Sequence, residues 1–338
     1  MVKNETFEGN QRTQSSGVKK LAKKIFALKE TAIFLTIIAL SIILSILSPY
    51  FLTVSNILTV LRGLSSDGII VVGMTIILIL GGIDLSVGSV MGLTGMTAAY
   101  LASSGTNIWL AVIAALLVGV ACGLINGLFI GKVGLSPFIT TLAMMGIARG
   151  ATLLATQGAS ISLYTNSKSF EAIGQGDIFG IPIIVIIFLV IAIIGDFMLR
   201  YSQPFRKVFY IGSNEKAATL SGINITRVKI GIYVLISVLA SVAGVLSLAR
   251  FGAATPTTGT GAEMIAISAA VIGGASLSGG EGSILGAFLG VILLNVVNNG
   301  LILLNVSVYG QGLISGLILL FAVTIDHISH KKRVMKLH

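Results

Sequence analysis

Long apolar blocks alternate with short polar connections along most of this chain. Ten of the blocks have about the 17 to 25 residues that an α-helix needs to cross roughly 30 Å of hydrocarbon. The pattern therefore predicts an all-α polytopic membrane protein with about ten transmembrane helices, some of them broken. The predicted spans, of which the second and eighth are short or interrupted by glycine, lie near residues 32–52, 66–83, 87–104, 108–131, 136–157, 181–200, 230–249, 262–277, 283–304 and 311–328.

Composition supports this interpretation, since 55% of the 338 residues are hydrophobic and only 10% are charged. A water-soluble domain of this size needs a charged surface, which excludes that class. A β-barrel would instead show alternating strands of about ten residues. The only cysteine, Cys122, excludes an intrachain disulfide bond.

The net charge of +10 follows from a few basic segments. Eighteen of the 22 Lys and Arg residues lie before the first apolar block, at Lys132, between residues 200 and 229, and after His330. With ten spans and a cytoplasmic start, all of these segments fall on the cytoplasmic side. The positive-inside rule therefore predicts that both termini are cytoplasmic, and it accounts for the basic balance better than a nucleic-acid surface does.

The same pattern predicts the domain organisation. Residues 1–31 form a basic cytoplasmic segment, residues 32–328 a single transmembrane domain, and residues 329–338 a basic cytoplasmic tail. Two polar stretches interrupt the domain: residues 158–180 on the outside and residues 201–229 in the cytoplasm.

An internal repeat is a further hypothesis. The segment GGIDLS at 81–86 is similar to GGASLS at 273–278, and NGLFI at 126–130 is similar to NGLIL at 299–303. Related halves are common in transporters, with the solute path at their interface. The sequence leaves open whether such halves are parallel or inverted.

Small residues recur at helical spacing in two places. Glycines four residues apart let helix backbones approach closely inside a bilayer. Both tight static packing and a sliding interface use such contacts, and static packing is the simpler interpretation. The helix-packing candidates are Gly119, Gly123, Gly127 and Gly131 in one ladder, and Gly282, Gly286 and Gly290 in the other.

Polar residues inside apolar spans are candidates for a translocation pathway or for broken helices. Asp84 could cap the helix that follows it, contact a solute or exchange a proton. Amides in a span either bond across helices or line a polar cavity. The candidates are Asp84, Ser86, Asn126, Asn295, Asn298 and Asn299.

Several catalytic signatures are missing from the sequence. It has no GxxxxGK[ST] phosphate loop, no cluster of metal ligands and no nucleophile beside a base. We therefore expect a chain that is not an enzyme by itself and that binds no cofactor or metal.

Several long segments resemble the membrane subunit of ribose-type ABC sugar importers. They are ILGGIDLSVGS (79–89), GLINGLFIGKVGLSPFITTLAMMGIARG (123–150), GSNEKAATLSGINITRVKIGIYVLIS (212–237), TGTGAEMIAISAAVIGGASLSGGEGSILGAFLG (258–290) and NNGLILLNVSVYGQ (298–311). The resemblance runs in order from about residue 35 to residue 328.

This resemblance implies a permease of the bacterial cytoplasmic membrane that dimerises, most simply with a second copy. It also implies a cytoplasmic ATPase subunit that uses ATP and magnesium, and an extracytoplasmic sugar-binding protein. A cytoplasmic loop of such permeases docks on the ATPase, and the matching positions here are Asn214, Glu215, Ala217, Ala218, Gly222 and Ile223.

The resemblance also bears on function. It implies ATP-driven import of a monosaccharide, with ribose as the best candidate, and it favours a capping role for Asp84 because the ATPase supplies the energy. The alternative from a different class is a secondary sugar–proton symporter that uses Asp84 as its proton site.

Overall fold

The computed structural model describes residues 29–163 and 167–334, and this part of the chain is almost entirely α-helical. The predicted basic segment before Lys29 and the last four residues of the tail lie outside the described residues. Four two-residue strands form two small antiparallel pairs, β1 (Ile161–Ser162) with β4 (Ala253–Ala254) and β2 (Asp177–Ile178) with β3 (Ile181–Pro182). The thirteen helices described are α1 (Lys29–Leu47), α2 (Val54–Leu80), α3 (Val87–Ser103), α4 (Ile108–Leu128), α5 (Pro137–Thr156), α6 (Lys168–Gln175), α7 (Ile183–Tyr201), α8 (Gln203–Ser213), α9 (Glu215–Leu220), α10 (Ile225–Phe251), α11 (Ala262–Ile272), α12 (Ile284–Leu303) and α13 (Val308–Val334).

The prediction of an all-α polytopic membrane protein is confirmed, although the spans are not equally long. Within the described residues, seven helices are long and apolar enough to cross a membrane: α1, α2, α4 with its π-helical extension to Val133, α5, α7, α10 and α12. The other three predicted spans correspond to α3, to α11 and to α13. Of these, α3 has 17 residues and α11 only 11, and the apolar part of α13 is limited to Tyr309–Thr324. The eighth predicted span is short, as expected, whereas the second is corrected: it belongs to the 27-residue helix α2, which begins at Val54 and not near residue 66.

One end of the helix bundle collects the basic connections, and we call it the basic end. There the N–H of Gly280 donates to the carbonyl of Ile79 (2.8 Å), and the hydroxyl of Thr226 donates to the carbonyl of Gly131 (2.9 Å). Lys132 and the segment 200–229 lie at this end, which the positive-inside rule assigns to the cytoplasm. The first residues of α1 and the last turns of α13 also lie there, since Glu30 shares a cavity with Arg206, and Asp326 accepts from the N–H of Leu277.

Helix α2 is the centre of the core. Every residue from 64 to 80 is buried except Asp67. A helix that is apolar on all faces must be enclosed by protein or lipid, and α7, α10, α11 and α12 enclose this one. Asp67 is therefore the one position in this stretch of α2 that the surrounding helices do not fully cover.

The short helices α3 and α11 begin inside the bundle instead of at its surface. Helix α2 ends at Gly81 in the left-handed conformation (φ 83°), and α10 ends the same way at Gly252 (φ 63°). Each is followed by non-helical chain, and then by a short helix, α3 or α11. A side-chain carbon added at Gly88 would overlap the backbone of Gly259, so the starts of the two short helices meet.

These elements relate the two halves of the chain as an inverted repeat. Helix α3 packs on α10, α4 and α5, and α11 packs in the same manner on α2, α12 and α13. Helices α2 and α10 are antiparallel, because Gly73 meets Ile236 while Gly82 meets Tyr233. The series α2 to α5 thus corresponds to α10 to α13 with the opposite direction through the bundle.

One of the two sequence matches behind the predicted repeat is not structurally equivalent. The segment GGIDLS precedes α3, whereas GGASLS follows α11, so the two segments do not occupy equivalent positions in the two halves. They are nevertheless neighbours, since Gly279 packs against Gly81 and Gly212 at the basic end. The second match is equivalent, because Asn126 and Asn299 lie in the corresponding helices α4 and α12.

Candidate functional site

A polar cavity of about 660 Å³ lies between the two halves of the chain. Its walls come from the first half of α2, the last turn of α10, the segment 253–260, the start of α11 and the second half of α12. It therefore lies towards the end of the bundle opposite the basic end. Its polar lining consists of Thr59, Ser66, Asp67, Ser247, Arg250, Thr255, Thr258, Thr260, Asn295, Asn298 and Asn299.

Asp67 and Asn295 face each other across this cavity. The side-chain amide of Asn295 donates to Oδ2 of Asp67 at 3.4 Å and to the carbonyl of Val291 at 3.1 Å. Asp67 has no ion pair within 4.0 Å among the described residues, and Arg250 lines the same space. The long carboxylate–amide contact leaves both groups able to bind a hydroxylated solute, because a carboxylate accepts several hydrogen bonds.

A second pair of amides ties α12 to the start of α2. Asn56 and Asn299 exchange two side-chain hydrogen bonds of 3.0 and 2.7 Å, and Asn56 also donates to the carbonyl of Phe51 (2.9 Å). Asn299 is thus largely committed to an interhelical contact at the rim of the cavity. Asn298 lines the cavity, and its side chain makes no hydrogen bond within the described chain, so the three predicted asparagines of α12 differ in what they do.

The segment 253–261 supplies the remaining wall. It descends from α10 to the buried start of α11, and its threonine hydroxyls at Thr255 and Thr258 bond to each other (3.0 Å). The guanidinium of Arg149 on α5 donates to the carbonyls of Pro256 and Thr258, the latter at 3.0 Å. Arg149 therefore holds this irregular segment in place and satisfies carbonyls that a helix would have used.

Asp84 lies elsewhere, in a closed cluster. Oδ1 of Asp84 accepts from the N–H of Ser86 (2.8 Å) and from its hydroxyl (2.5 Å), and the amide of Asn126 donates to that hydroxyl (3.1 Å). All three side chains have no exposed surface. Neither Asp84 nor Ser86 nor Asn126 lines the cavity, so the structure separates them from Asn295, Asn298 and Asn299.

The geometry of this cluster bears on the three interpretations of Asp84. Helix α3 begins at Val87 with Ser86 as its N-cap, and Asp84 bonds the backbone of Ser86 two residues on, as in an Asx turn. The carboxylate thus organises the non-helical approach to α3 and does not cap the helix itself. Oδ2 of Asp84 and the nearby hydroxyl of Tyr233 are buried without a hydrogen-bond partner in the described chain.

The predicted glycine ladder of α4 lies directly against α10. A side-chain carbon added at Gly123 would lie 2.6 Å from Cα of Val234, and one at Gly127 would lie 2.7 Å from Cα of Ile230. Gly119 meets Ser241, and Gly131 meets the carbonyl of Thr226. The α4–α10 pair is the most extensive helix contact, which fits close static packing.

The second glycine ladder divides between a helix and a loop. Gly286 and Gly290 of α12 pack on the backbone of α11, at Gly273 and Ala269. Gly282 precedes α12 and packs on Ile79, where an added carbon would lie 2.6 Å away. These glycines place the short helix α11 against α12.

The predicted coupling residues form α9 and its two ends, at the basic end. The side chain of Asn214 accepts from the N–H of Ala217 (2.9 Å) and so caps the helix, and Gly222 (φ 78°) lets the chain turn away from it. Ala218 is buried, and its carbonyl accepts from the N–H of Ile223 (3.1 Å). Lys229 reaches Glu215 at 2.8 Å and links α9 to α10.

The outer face of α9 is open. Ala217 is exposed, and Leu220, which sequence reasoning did not single out, is 91% exposed. Single apolar side chains are common on protein surfaces, so Ala217 and Leu220 give α9 an exposed apolar spot but do not by themselves identify an interface.

Comparison with known proteins identifies this architecture. Residues 56–323 match the protein family described as branched-chain amino acid transport system / permease component. The chain belongs to this permease family.

Individual relatives match this chain over most of its length. The ribose import permease protein of Bacillus subtilis (strain 168) is 43% identical over 294 residues, covering 87% of this chain and 91% of the relative. That of Escherichia coli (strain K12) is 38% identical over 317 residues, covering 93% and 98%. The L-arabinose transport system permease protein of the same strain is 36% identical over 289 residues, covering 86% and 88%. No solved structure matches the chain. The family and its relatives establish a transport component of the cytoplasmic membrane, which is not an enzyme.

Sequence reasoning missed Asp67, Arg250, Arg149 and the threonines of segment 253–261. A signal for Asp67 was present, since it is a carboxylate inside the predicted span 66–83, and a charge inside a membrane span suggests function. The segment 253–261 carried no comparable signal, because its threonines and glycines are typical of an ordinary external loop.

Proposed function

We propose that this permease is the membrane subunit of an ATP-driven importer of a monosaccharide, with ribose as its solute. The observation that carries the proposal is the match to ribose import permeases over nearly the full length of both chains. Relatives named for D-allose and L-arabinose transport are also similar, at 35% and 36% identity, so the monosaccharide class rests on more matches than the particular sugar does.

The cavity between the halves fits a sugar by size and chemistry. Its volume falls within the range of about 300 to 1,000 Å³ typical of small-molecule sites. Its amides and threonine hydroxyls are neutral donors and acceptors, which suit a polyhydroxylated and uncharged solute. We assign Asp67, Asn295 and Asn298 as the groups that contact the sugar, with Asn299 holding α12 in position.

An ATPase subunit is the proposed cytoplasmic partner, and α9 is its proposed docking element. The exposed residues Ala217 and Leu220 would enter a groove of the ATPase, while Asn214 and Gly222 shape the element. Since α9 is linked to α10 through the Glu215–Lys229 ion pair, its displacement would reach the cavity wall at Arg250. The permease has no phosphate-binding loop, and ATP and magnesium belong to the partner.

A second copy of the permease is the proposed membrane partner. Gly146 and Gly150 on α5, and Gly312 and Gly316 on α13, are exposed and have nothing within 4 Å of an added side-chain carbon. Helices α5 and α13 correspond to each other in the inverted repeat, so both halves present an open small-residue face. Such faces favour close helix pairing in lipid. An extracytoplasmic binding protein would deliver the sugar to the end opposite the basic end.

Uptake of labelled ribose into proteoliposomes tests the proposal. The vesicles would contain the permease, its ATPase subunit and its binding protein, with ATP or with ATP plus vanadate inside the compartment that faces the ATPase. We expect uptake that requires ATP and stops with vanadate. Competition by unlabelled arabinose and allose, at the same concentrations as unlabelled ribose, would rank the three sugars.

The same vesicles separate the importer from the sugar–proton symporter, which the relatives do not support. A symporter would take up ribose through the permease alone, driven by a proton gradient. Uptake of that kind would overturn the importer mechanism. ATP-dependent uptake of arabinose without uptake of ribose would leave the mechanism intact and correct only the sugar.

A further inference from the structure

Two adjoining cavities lie on the membrane side of the basic end, outside the translocation cavity. The first, of about 490 Å³, lies between the start of α1, the end of α7, α8 and residues 282–283. The second, of about 410 Å³, continues from it along the groove between α7 and α12. Asp196 and Arg200 line both cavities, so the two form one continuous site.

The first cavity carries two charges of each sign. Arg200 and Asp196 form an ion pair through Nε of the arginine at 2.7 Å, and the terminal nitrogens of this half-exposed guanidinium make no ion pair among the described residues. Arg206 and Glu30 complete the set, and neither has an ion pair within 4.0 Å among the described residues. A site with two guanidinium and two carboxylate groups matches a ligand that itself carries a phosphate and an ammonium group.

The second cavity is apolar and open to the surrounding bilayer. It lies between two helices that cross the membrane, and a lipid tail in it would run beside α7. Its exposed walls are suited to hydrocarbon and not to water, since large apolar side chains form them. These side chains are Leu189, Ile193, Phe197, Leu285 and Phe288.

We propose that the paired cavities form a specific site for one phosphatidylethanolamine molecule of the cytoplasmic leaflet. The phosphate binds Arg206 and the free nitrogens of Arg200, the primary ammonium donates to Glu30 and Asp196, and one acyl chain occupies the α7–α12 groove. Charged side chains at the ends of membrane helices commonly meet lipid headgroups at this level. The site differs from a general basic patch, because its charges balance.

A lipid bound at this position would stabilise the contact between several helices. Residues 282–283 follow directly on the turn at Gly279 and Gly280, which packs on the ends of α2 and α8. A bound headgroup therefore braces α1, α7 and α8 against the junction of the two halves. We expect the lipid to stabilise the permease, and this effect does not depend on which sugar is transported.

Lipid retention by the wild-type chain is the first test. The purified full-length permease would be exposed in detergent to equal amounts of phosphatidylethanolamine, phosphatidylcholine and phosphatidylglycerol, and bound lipid would be counted by native mass spectrometry. We expect phosphatidylethanolamine to be retained about fivefold more than either competitor, since a quaternary ammonium cannot donate to carboxylates and a glycerol headgroup carries no cation. Equal retention of the three lipids would overturn the proposal, and a preference for phosphatidylglycerol would show a merely basic site.

Matched variants locate the binding. Arg206→Gln and Glu30→Gln should each lower phosphatidylethanolamine retention about fivefold, because each removes one charge-assisted hydrogen bond. Lys207→Gln is the control, because Lys207 is an exposed neighbouring cation that does not line the cavity. A loss of retention in the Lys207 variant equal to that in the Arg206 variant would contradict the proposed site. So would full retention in both cavity variants.

A groove variant tests the acyl chain separately from the headgroup. Leu285→Trp would fill part of the α7–α12 groove, and we expect it to reduce retention and to remove the increase in melting temperature that added phosphatidylethanolamine gives the wild type. An unchanged lipid-dependent increase in this variant would contradict the assignment of the groove. Deletion of residues 1–28 tests whether the basic N-terminal segment competes with the lipid. Tighter lipid retention after the deletion would show that the segment occupies the site in place of lipid.

Discussion

Two carboxylates of the membrane domain, Asp84 and Asp67, differ in almost every respect. Asp84 has no exposed surface, accepts two short hydrogen bonds from Ser86 and lies in a closed cluster with Asn126. Asp67 is half-exposed, interrupts an otherwise buried stretch of α2 and makes one long contact with Asn295 in an open cavity.

This difference is the basis on which we assign a structural role to Asp84 and propose a transport role for Asp67. A carboxylate enclosed by protein, with one oxygen accepting from a neighbouring N–H and hydroxyl, stabilises an irregular segment, here the approach to α3, although the second oxygen of Asp84 has no partner in the described chain. A carboxylate whose lone pairs remain available in a polar cavity can bind a passing solute. Burial alone would have selected Asp84 as the functional residue, whereas the hydrogen-bond geometry favours Asp67.

The largest expected effect is the loss of folded protein in Asp84→Leu. The N–H and hydroxyl of Ser86 would lose their acceptor, and unsatisfied buried donors cost about 1 to 3 kcal/mol each. We expect little monodisperse protein in size-exclusion chromatography and a strongly lowered melting temperature. Asp67→Leu is the matched control. It should remain folded, because the side chain at position 67 borders the open cavity. Wild-type stability of Asp84→Leu would contradict the structural role.

The next effect is a loss of transport without a loss of fold in Asp67→Leu. Removing a charged hydrogen-bond partner of the solute costs about 1.5 to 3 kcal/mol, which corresponds to at least a tenfold fall in ATP-dependent ribose uptake. Asp67→Asn keeps an acceptor and should lose less. Uptake at the wild-type rate in both variants would remove Asp67 from the proposed sugar contacts.

A smaller effect is expected for Asp84→Asn. The new side chain keeps an oxygen for the Ser86 donors and adds an amide that can donate to the unpaired Oδ1 of Asn126. We therefore expect stability within about 1 kcal/mol of the wild type and nearly normal ATP-driven uptake. Abolished uptake in a well-folded Asp84→Asn protein would reopen a proton-transfer role for this residue.

The smallest effect concerns the amide pair at the cavity rim. A double-mutant cycle on Asn56→Ala and Asn299→Ala should give a coupling of about 0.5 to 1.5 kcal/mol, as is usual for hydrogen bonds between membrane helices. Reversible unfolding in detergent measures it. Asn298→Ala is the control, since the side chain of Asn298 bonds no described residue and should show no coupling with Asn56. Additive effects of the Asn56 and Asn299 changes would show that their reciprocal bonds do not stabilise the pair.

Local chemistry was enough to predict some of the site. The glycine ladder of α4 could be placed on a close helix contact, because small residues at every fourth position have few other uses in a membrane. The proposed coupling residues around α9 came from the family resemblance, and the structure places them on one short helix and its two ends. By contrast, Asn126 and Asn299 looked alike in sequence and belong to different polar clusters, since their partners Ser86 and Asn56 come from distant parts of the chain.

The sequence alone located most of the membrane helices and predicted their orientation, because apolar length and the distribution of Lys and Arg act segment by segment in a bilayer. Only the tertiary structure decided that α3 and α11 begin inside the bundle, that the halves are inverted, and that the one half-exposed position of the α2 core is Asp67. Those features depend on which backbones approach one another, as at Gly88 and Gly259, and such long-range packing leaves no local signal.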